Sequence, residues 1–261
     1  MDAWNRSEDM NNIKFSVCTT NYNCAHALRK HLDSVYSLFD DGDFEYIVVD
    51  NKSKDNSMEI LKEYKKDHKN MLVLSQKCTM GRGRQIAFGH SKGRHIVVVD
   101  TDTIYYSKCK DFIEICLEQY PNFAVQAIFC GVFPREIWER IGGRRDMNFK
   151  EDFDMWMRIW EMDKMKWYPV SMGENIKEGT ASAGMDYLSS RYGKFEKFSR
   201  LIRREIDLFK TRRINKYDFS SAYRNNIIDL GLGEEERWFG EYPDIPWPVK
   251  VTRDIIRILK S

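Results

Sequence analysis

The stretch HIVVVDTDTIY, His95 to Tyr105, closes an apolar run of β-strand type with two carboxylates one residue apart, Asp100 and Asp102. Two negative charges at one strand end repel each other unless protons or a cation neutralise them. Oxygen donors of this kind suit magnesium or manganese, which keep waters and take further oxygens from substrate phosphates. A solvated turn would carry the same residues, so the spacing alone leaves both readings open. Two further strand ends carry polar clusters: Thr20-Asn21-Tyr22-Asn23 after FSVCT, and Asp50-Asn51-Lys52-Ser53 after EYIVV. A second acidic pair, Glu151 and Asp152, starts a helical pattern, where the helix dipole favours acids in any case.

Apolar runs at 15–19, 45–49, 71–74 and 95–99 alternate with helical patterns near 26–39, 57–68 and 84–92. Strands that are apolar almost throughout, separated by helices, predict an α/β fold with a mainly parallel sheet covered on both faces. Such sheets bind ligands outside the carboxyl ends of their strands, where the three polar clusters fall. Asn56 followed by Glu59 predicts a capping box for the second helix, with Met58, Leu61 and Tyr64 facing inward. Beyond 108 the pattern loosens into a mixed region with a helix over 151–162. The predicted buried face of that helix is Phe153, Trp156, Met157 and Trp160, with Asp154 and Arg158 paired on its exposed side.

A chain of 261 residues can form one large α/β domain with a helical appendage. Its net charge of +2 demands neither nucleic acid nor an acidic partner. Six scattered cysteines (Cys18, Cys24, Cys78, Cys109, Cys116, Cys130), with no C-x-x-C pair, predict buried free thiols in a reducing compartment. The first residues lack the apolar segment of a signal peptide, and the most apolar long stretch, FAVQAIFCGVF, has 11 residues, too few to span a bilayer. A cytoplasmic protein is expected, at most peripheral on a membrane face.

Taken in order, these blocks resemble the family 2 glycosyltransferases, nucleotide-sugar-dependent enzymes of the GT-A fold. FSVCTTNYN is similar to that family's opening strand and loop, and EYIVVDNKSKDNSMEIL to its second strand, acidic turn and following helix. GRGRQIAFGHSKGRHIVVVDTD resembles its Gly/Arg segment, helix and Asp-x-Asp, and GVFPREIWERIGG followed by KEDFDMWMRIW its acceptor-side segment ending in Glu-Asp. The resemblance implies a Rossmann-like GT-A domain over 13–184, with a nucleotide-binding half (13–107) and an acceptor half (108–184). A loose tail (1–12) would precede it and a mainly helical extension (185–261) follow it.

By position, the resemblance implies that Thr20, Tyr22 and Asp50 hold the base and ribose of a nucleoside-diphosphate sugar (UDP- or GDP-linked). Asn51 departs from the family's frequent second acid, leaving Asp50 the only acidic candidate there. Arg84 would pair with the diphosphate, with Arg82 as its competitor. Asp102 would contact a divalent cation (Mg2+ or Mn2+), and Asp100 the ribose or a metal-bound water. Asp152 would be the general base that deprotonates a hydroxyl on a glycan or lipid-linked acceptor, inverting the anomeric centre, and Glu151 would orient that acceptor. The histidines stop at His95, so no downstream histidine can complete a metal shell; His90 and His95 read as exposed. The alternatives are a catalytically silent nucleotide-binding or assembly subunit of the same fold and, more remotely, a nucleotidyltransferase, whose Gly-rich opening loop is absent.

The segment 194–216 carries nine Lys/Arg against Glu196, Glu205 and Asp207, with apolar residues at helical spacing. One buried side with a solvated basic face explains it; docking on anionic lipid headgroups is the sharper alternative. No nucleic-acid motif accompanies the charge.

Overall fold

The structure, a computed structural model, describes residues 13–148, 151–176 and 222–235, with Phe198, Ser199, Ile202 and Ile256 besides. The expected tail, most of the helical extension and most of the basic segment lie outside the described residues. Strands β1 (Phe15–Asn21), β2 (Phe44–Asp50), β3 (Met71–Ser75) and β4 (His95–Val99) alternate with helices α1 (Ala25–Tyr36), α2 (Ser57–Asp67) and α3 (Met80–His90). There follow β5 (Thr103–Tyr105), α4 (Lys108–Gln119), β6 (Ala124–Ile128), β7 (Cys130–Pro134), α5 (Arg135–Arg140), α6 (Glu151–Trp160), β8 (Met165–Ser171) and β9 (Gly173–Asn175).

Seven strands form one sheet in the order β3-β2-β1-β4-β7-β6-β8, in which only β7 runs against the others. β5 and β9 make a separate antiparallel pair. The four apolar runs of the first half are the parallel strands, apolar throughout because each face is buried. Val17 and Val48 pack with Leu28, Leu32 and Phe112 on one side. Cys18, Ile47 and Val49 pack with Ala87, Phe88 and Trp138 on the other. The order of β1 and β4 around the switch in chain direction opens a crevice at their carboxyl ends. All six cysteines are free; five are buried and Cys78 is half-buried.

Several local expectations are corrected. The third helix begins at Met80, four residues before the expected start at Arg84, because Thr79 accepts a hydrogen bond from the Arg82 amide and caps it. Position 81 inside that helix requires glycine because a Cβ there would lie 2.2 Å from the Arg145 carbonyl oxygen. Asn56 makes no side-chain cap; Asp55 holds the Ser57 and Ala25 amides instead. Ile60 and Leu61 are buried in α2, with Met58 and Tyr64 only half-buried. In α6 Trp156 and Met157 are buried as expected and Phe153 and Trp160 pack half-buried against the same cluster, but Met155 and Ile159 are buried as well, and the Asp154–Arg158 pair is inside, not exposed. His95 is buried too, in the middle of the sheet, its Nε2 3.1 Å from the Pro121 carbonyl; His90 is exposed as expected. The apolar stretch FAVQAIFCGVF is two antiparallel strands joined by Phe129, whose φ is +68°. Thr20 and Asn21 are the last residues of β1, with Tyr22 directly after them, and Asp50 is the last residue of β2.

Candidate active site

The site is built on the carboxyl ends of β1, β2 and β4 and on the first turn of α6. The chain leaves β4 through Asp100-Thr101-Asp102 and returns at once as β5, the Thr103 amide donating to the Asp100 carbonyl at 3.2 Å. Thr19 Oγ1 donates to the Val99 carbonyl at 2.7 Å, and Thr101 Oγ1 to the Thr20 carbonyl at 3.3 Å, tying this turn to β1. The Ile176 amide donates to the Asp102 carbonyl at 2.6 Å.

Arg84 stands at the centre. Its Nη2 lies 2.6 Å from Asp100, and its Nη1 lies 2.8 Å from Glu151 and 3.2 Å from Asp152. Residues 100 and 152 are thus held by one guanidinium, whose planar fork can reach several carboxylates at once. The guanidinium is 5% exposed and Glu151 3%, while Asp100 is 41% exposed and Asp152 33%. Arg84, expected at a diphosphate, has both terminal nitrogens engaged by these acids. Arg82 is exposed at the start of α3.

A second guanidinium, Arg144, is absent from the sequence reading. Fully buried, it donates to Asp152 and stacks 5.4 Å from the Trp138 ring. It reaches that position because Gly142 and Gly143, at φ +73° and +75°, turn the chain back after α5. Gln85 then accepts from the Arg144 amide at 2.8 Å. Two glycines followed by Arg144-Arg145, close before Glu151-Asp152-Phe153-Asp154, were the available signal; Arg145 pairs with Asp154.

These charges push the two neighbouring carboxyls apart. Burial and the negative charge of Asp152 raise Glu151 to about 8, outweighing Arg84 and Arg144. Burial also works against Asp152, but Arg144 and Arg84 overcome it and hold the group at about 2, helped by a hydrogen bond from Glu151. The opposite shifts favour a proton on Glu151 and a bare carboxylate on Asp152, a separation of the kind that lets paired carboxyls act as donor and acceptor. Asp100 is raised to about 6 by burial, against Arg84 and with Asp102 and Asp152; solvent at its open side damps that effect.

The nucleotide-side residues are gathered on the same edge. Thr20 and Tyr22 are half-buried, with the Lys77 ammonium 5.6 Å from the Tyr22 ring centre. Asp50 is 1% exposed; it accepts from Asn21 Nδ2 at 2.8 Å, Ser53 Oγ at 2.5 Å and the Ser53 amide at 2.9 Å. It therefore fastens the turn after β2 as well as facing the crevice end of the sheet. Asn51 accepts from the Cys78 amide at 2.9 Å, fixing the approach to α3.

Behind the aspartate turn lies His31, fully buried, its Nδ1 2.9 Å from the Thr103 carbonyl and its Nε2 2.7 Å from the Tyr46 hydroxyl. Both contacts are satisfied by the neutral ring donating from Nδ1. Burial lowers His31 to about 4, against the Thr103 carbonyl and the Asp102 charge, which favour the imidazolium. The unfolded ring, near 6.5, binds a proton first, so stability is lost as pH falls from there through about 4. The loss from this one group amounts to about 3 kcal/mol. Urea unfolding at pH 7 and 4.5 checks this: His31→Gln is expected to have a visibly shallower pH dependence than the parent, and equal slopes would refute the assignment.

Among the described residues no three His, Cys, Asp or Glu side chains converge as a metal cage, and no helix is long and apolar enough to cross a membrane. The sequence profile of Glycosyl transferase family 2 matches residues 16–175. An uncharacterized glycosyltransferase, YfnE of Bacillus subtilis, is 23% identical over 85% of this chain and 56% of its own length. The poly(ribitol-phosphate) beta-glucosyltransferase of Bacillus spizizenii is 35% identical over 34% of this chain and 15% of its own. This chain thus spans a minor part to about half of those curated relatives. In fold it resembles the mannosyltransferase PcManGT of Pyrobaculum calidifontis, solved with GDP-Man and Mn2+ (TM-score 0.59, 16% identity, 80% of this chain and 68% of that one). It also resembles the 1-349 portion of S. aureus TarS, solved with UDP-GlcNAc (TM-score 0.57, 14% identity, 72% and 64%). These are GT-A glycosyltransferases, so the expected fold class holds.

Proposed function

From the premise that this chain belongs to Glycosyl transferase family 2, we propose that it is an inverting, metal-dependent glycosyltransferase. It would move a sugar from a UDP- or GDP-sugar to a hydroxyl on a glycan or lipid-linked acceptor. The single observation that carries this reading is the placing of Asp100, at the end of β4, and Asp152, at the start of α6, on opposite sides of one guanidinium. Donor-side and acceptor-side acids are then neighbours across one crevice.

Asp100 and Asp102 fit a cation that brings most of its ligands with it: they offer oxygen donors only, at one strand end, and Asp100 is open to solvent. Bound there, a divalent ion would offset the charge that grows on a departing diphosphate. Tyr22 would cover the base, and Asp50 would keep the β2 turn shaped for the ribose and base. Glu151, neutral, would donate a hydrogen bond to Asp152 and hold its orientation. Asp152, ionised, would accept the proton of the acceptor hydroxyl on the face opposite the leaving group, which inverts the anomeric centre. Arg84 and Arg144 would keep that carboxylate charged and aimed until the acceptor arrives.

One observation favours a second reading, a catalytically silent nucleotide-binding subunit: both Asp152 oxygens are engaged by arginine. A thermal-shift titration of UDP and GDP with and without Mn2+ tests the donor site, since ligand binding to the folded state raises its melting temperature. Manganese-dependent stabilisation by at least one nucleotide is expected, and none with any would sink the proposal. Slow release of sugar from the stabilising nucleotide sugar in water, lost in an Asp152 variant, separates the enzyme from the silent subunit.

A further inference from the structure

Asp100 and Asp102 can serve any ligand only if the backbone of their turn is fixed, and one buried side chain reaches that backbone from behind. Tyr105, 5% exposed, lies at the end of β5, and its hydroxyl turns back to the strand the chain has just left. The Asp100 amide donates to Tyr105 Oη at 3.0 Å, and the hydroxyl donates in turn to the Phe129 carbonyl at 2.8 Å. Phe129 is the single residue joining β6 to β7, held at φ +68°, a region that non-glycine residues seldom occupy. Tyr105 is itself located at both ends. Its amide donates to Ser34 Oγ at 3.0 Å, and its ring meets His31 edge-on at 5.8 Å.

We infer that Tyr105 is a positioning residue for the divalent-cation site, its hydroxyl locking the Asp100 amide to the β6–β7 joint and so setting where both aspartates point. The reading rests on the proposed metal-dependent donor site. A hydroxyl is needed because one atom must accept from an amide and donate to a carbonyl simultaneously. Phenylalanine fills the same space and leaves both backbone groups buried without that partner. The turn would still form, held by Thr19 and Thr101, with its carboxylates free to swing.

Tyr105→Phe and Tyr46→Phe are compared with the parent chain. Tyr46 serves as the matched control because it too is buried and loses one hydroxyl, the partner of His31 Nε2, which reaches the aspartate turn through the Thr103 carbonyl rather than through the Asp100 amide. Mn2+ binding in the presence of UDP or GDP, whichever stabilises the parent, is read by the electron paramagnetic resonance signal of free Mn2+, alongside melting temperature. Tyr105→Phe is expected to weaken Mn2+ binding about tenfold, the loss that follows removal of a group that orients a metal-binding side chain, whereas Tyr46→Phe lowers the melting temperature without changing Mn2+ binding. Equal Mn2+ affinity in Tyr105→Phe and the parent, or equal weakening in both variants, overturns the inference. A parent that binds no Mn2+ with either nucleotide overturns the donor-site reading and the inference with it. Should Tyr105→Phe not fold, amide exchange in the parent decides: the Asp100 amide is expected to be protected like those of β4, and exchange at the rate of an open turn refutes the lock.

Discussion

Asp152→Asn is expected to lower sugar transfer about a thousandfold, within the range a general base supplies, while leaving nucleotide binding unchanged. The amide keeps the shape of the side chain and removes its ability to take a proton. Asp152 lies on α6 and meets the donor-side Asp100 through the Arg84 guanidinium rather than directly, so donor affinity should be spared. Nucleotide binding measured by calorimetry and turnover measured with the same preparation test both halves. Wild-type turnover would remove Asp152 from the base role, whereas lost nucleotide binding would make it part of the donor site. Circular dichroism at the assay temperature is the necessary control, because the substitution also weakens the ion pairs to Arg84 and Arg144.

Arg84→Met is expected to cost the fold about 3–5 kcal/mol, the usual consequence of removing one partner from a buried ion pair. That corresponds to a fall of roughly 10 °C in melting temperature for a chain of this size. The magnitude rests on Asp152, the ionised acid, which would be left to Arg144 alone and would face Asp100 without the guanidinium between them, with the buried Glu151 carboxyl losing its hydrogen-bond donor as well. The pH dependence of the deficit has a definite sign. Without the guanidinium, the folded state raises its carboxyl pKa values and binds more protons than the unfolded chain. Stability of the variant relative to the parent must then improve as pH falls from 8 toward 5. Melts across that window check it, and a deficit that stays constant would show that packing, not charge, was lost. Arg84→Lys should recover only part of the loss, since an ammonium has no fork with which to hold three carboxylates at once.

The resemblance implies a diphosphate partner for Arg84, and the structure adds acids of the chain itself around it. From the sequence, a basic residue beside glycines and before Asp-x-Asp has an obvious anionic partner in a substrate. Only folding brings residues 151 and 152 to the same guanidinium and supplies the protein's own anions. Arg144 was out of reach for a related reason. It lies between α5 and α6 in a stretch without regular periodicity, and its direction is set by the backbone of Gly142 and Gly143.

The sequence by itself determined the parallel half of the sheet, because strands buried on both faces must be apolar along their whole length. It also marked the polar ends of β1, β2 and β4, since alternating strands and helices put every such end on one edge. The second half was less legible. β6 and β7 run together as one apolar stretch, and their separation depends on the unusual φ of Phe129. In α6, helical spacing selected Phe153 and Trp160, which pack half-buried against the core, yet it left outside Asp154 and Arg158, which went inside, where Arg145 helps to neutralise Asp154. His95 shows the same limit: a polar residue at a strand start was read as exposed, and the sheet closed over it from both sides. Hydrophobic pattern reports which residues avoid water; whether a charge can be buried depends on a partner distant in sequence, and only the tertiary structure decided that.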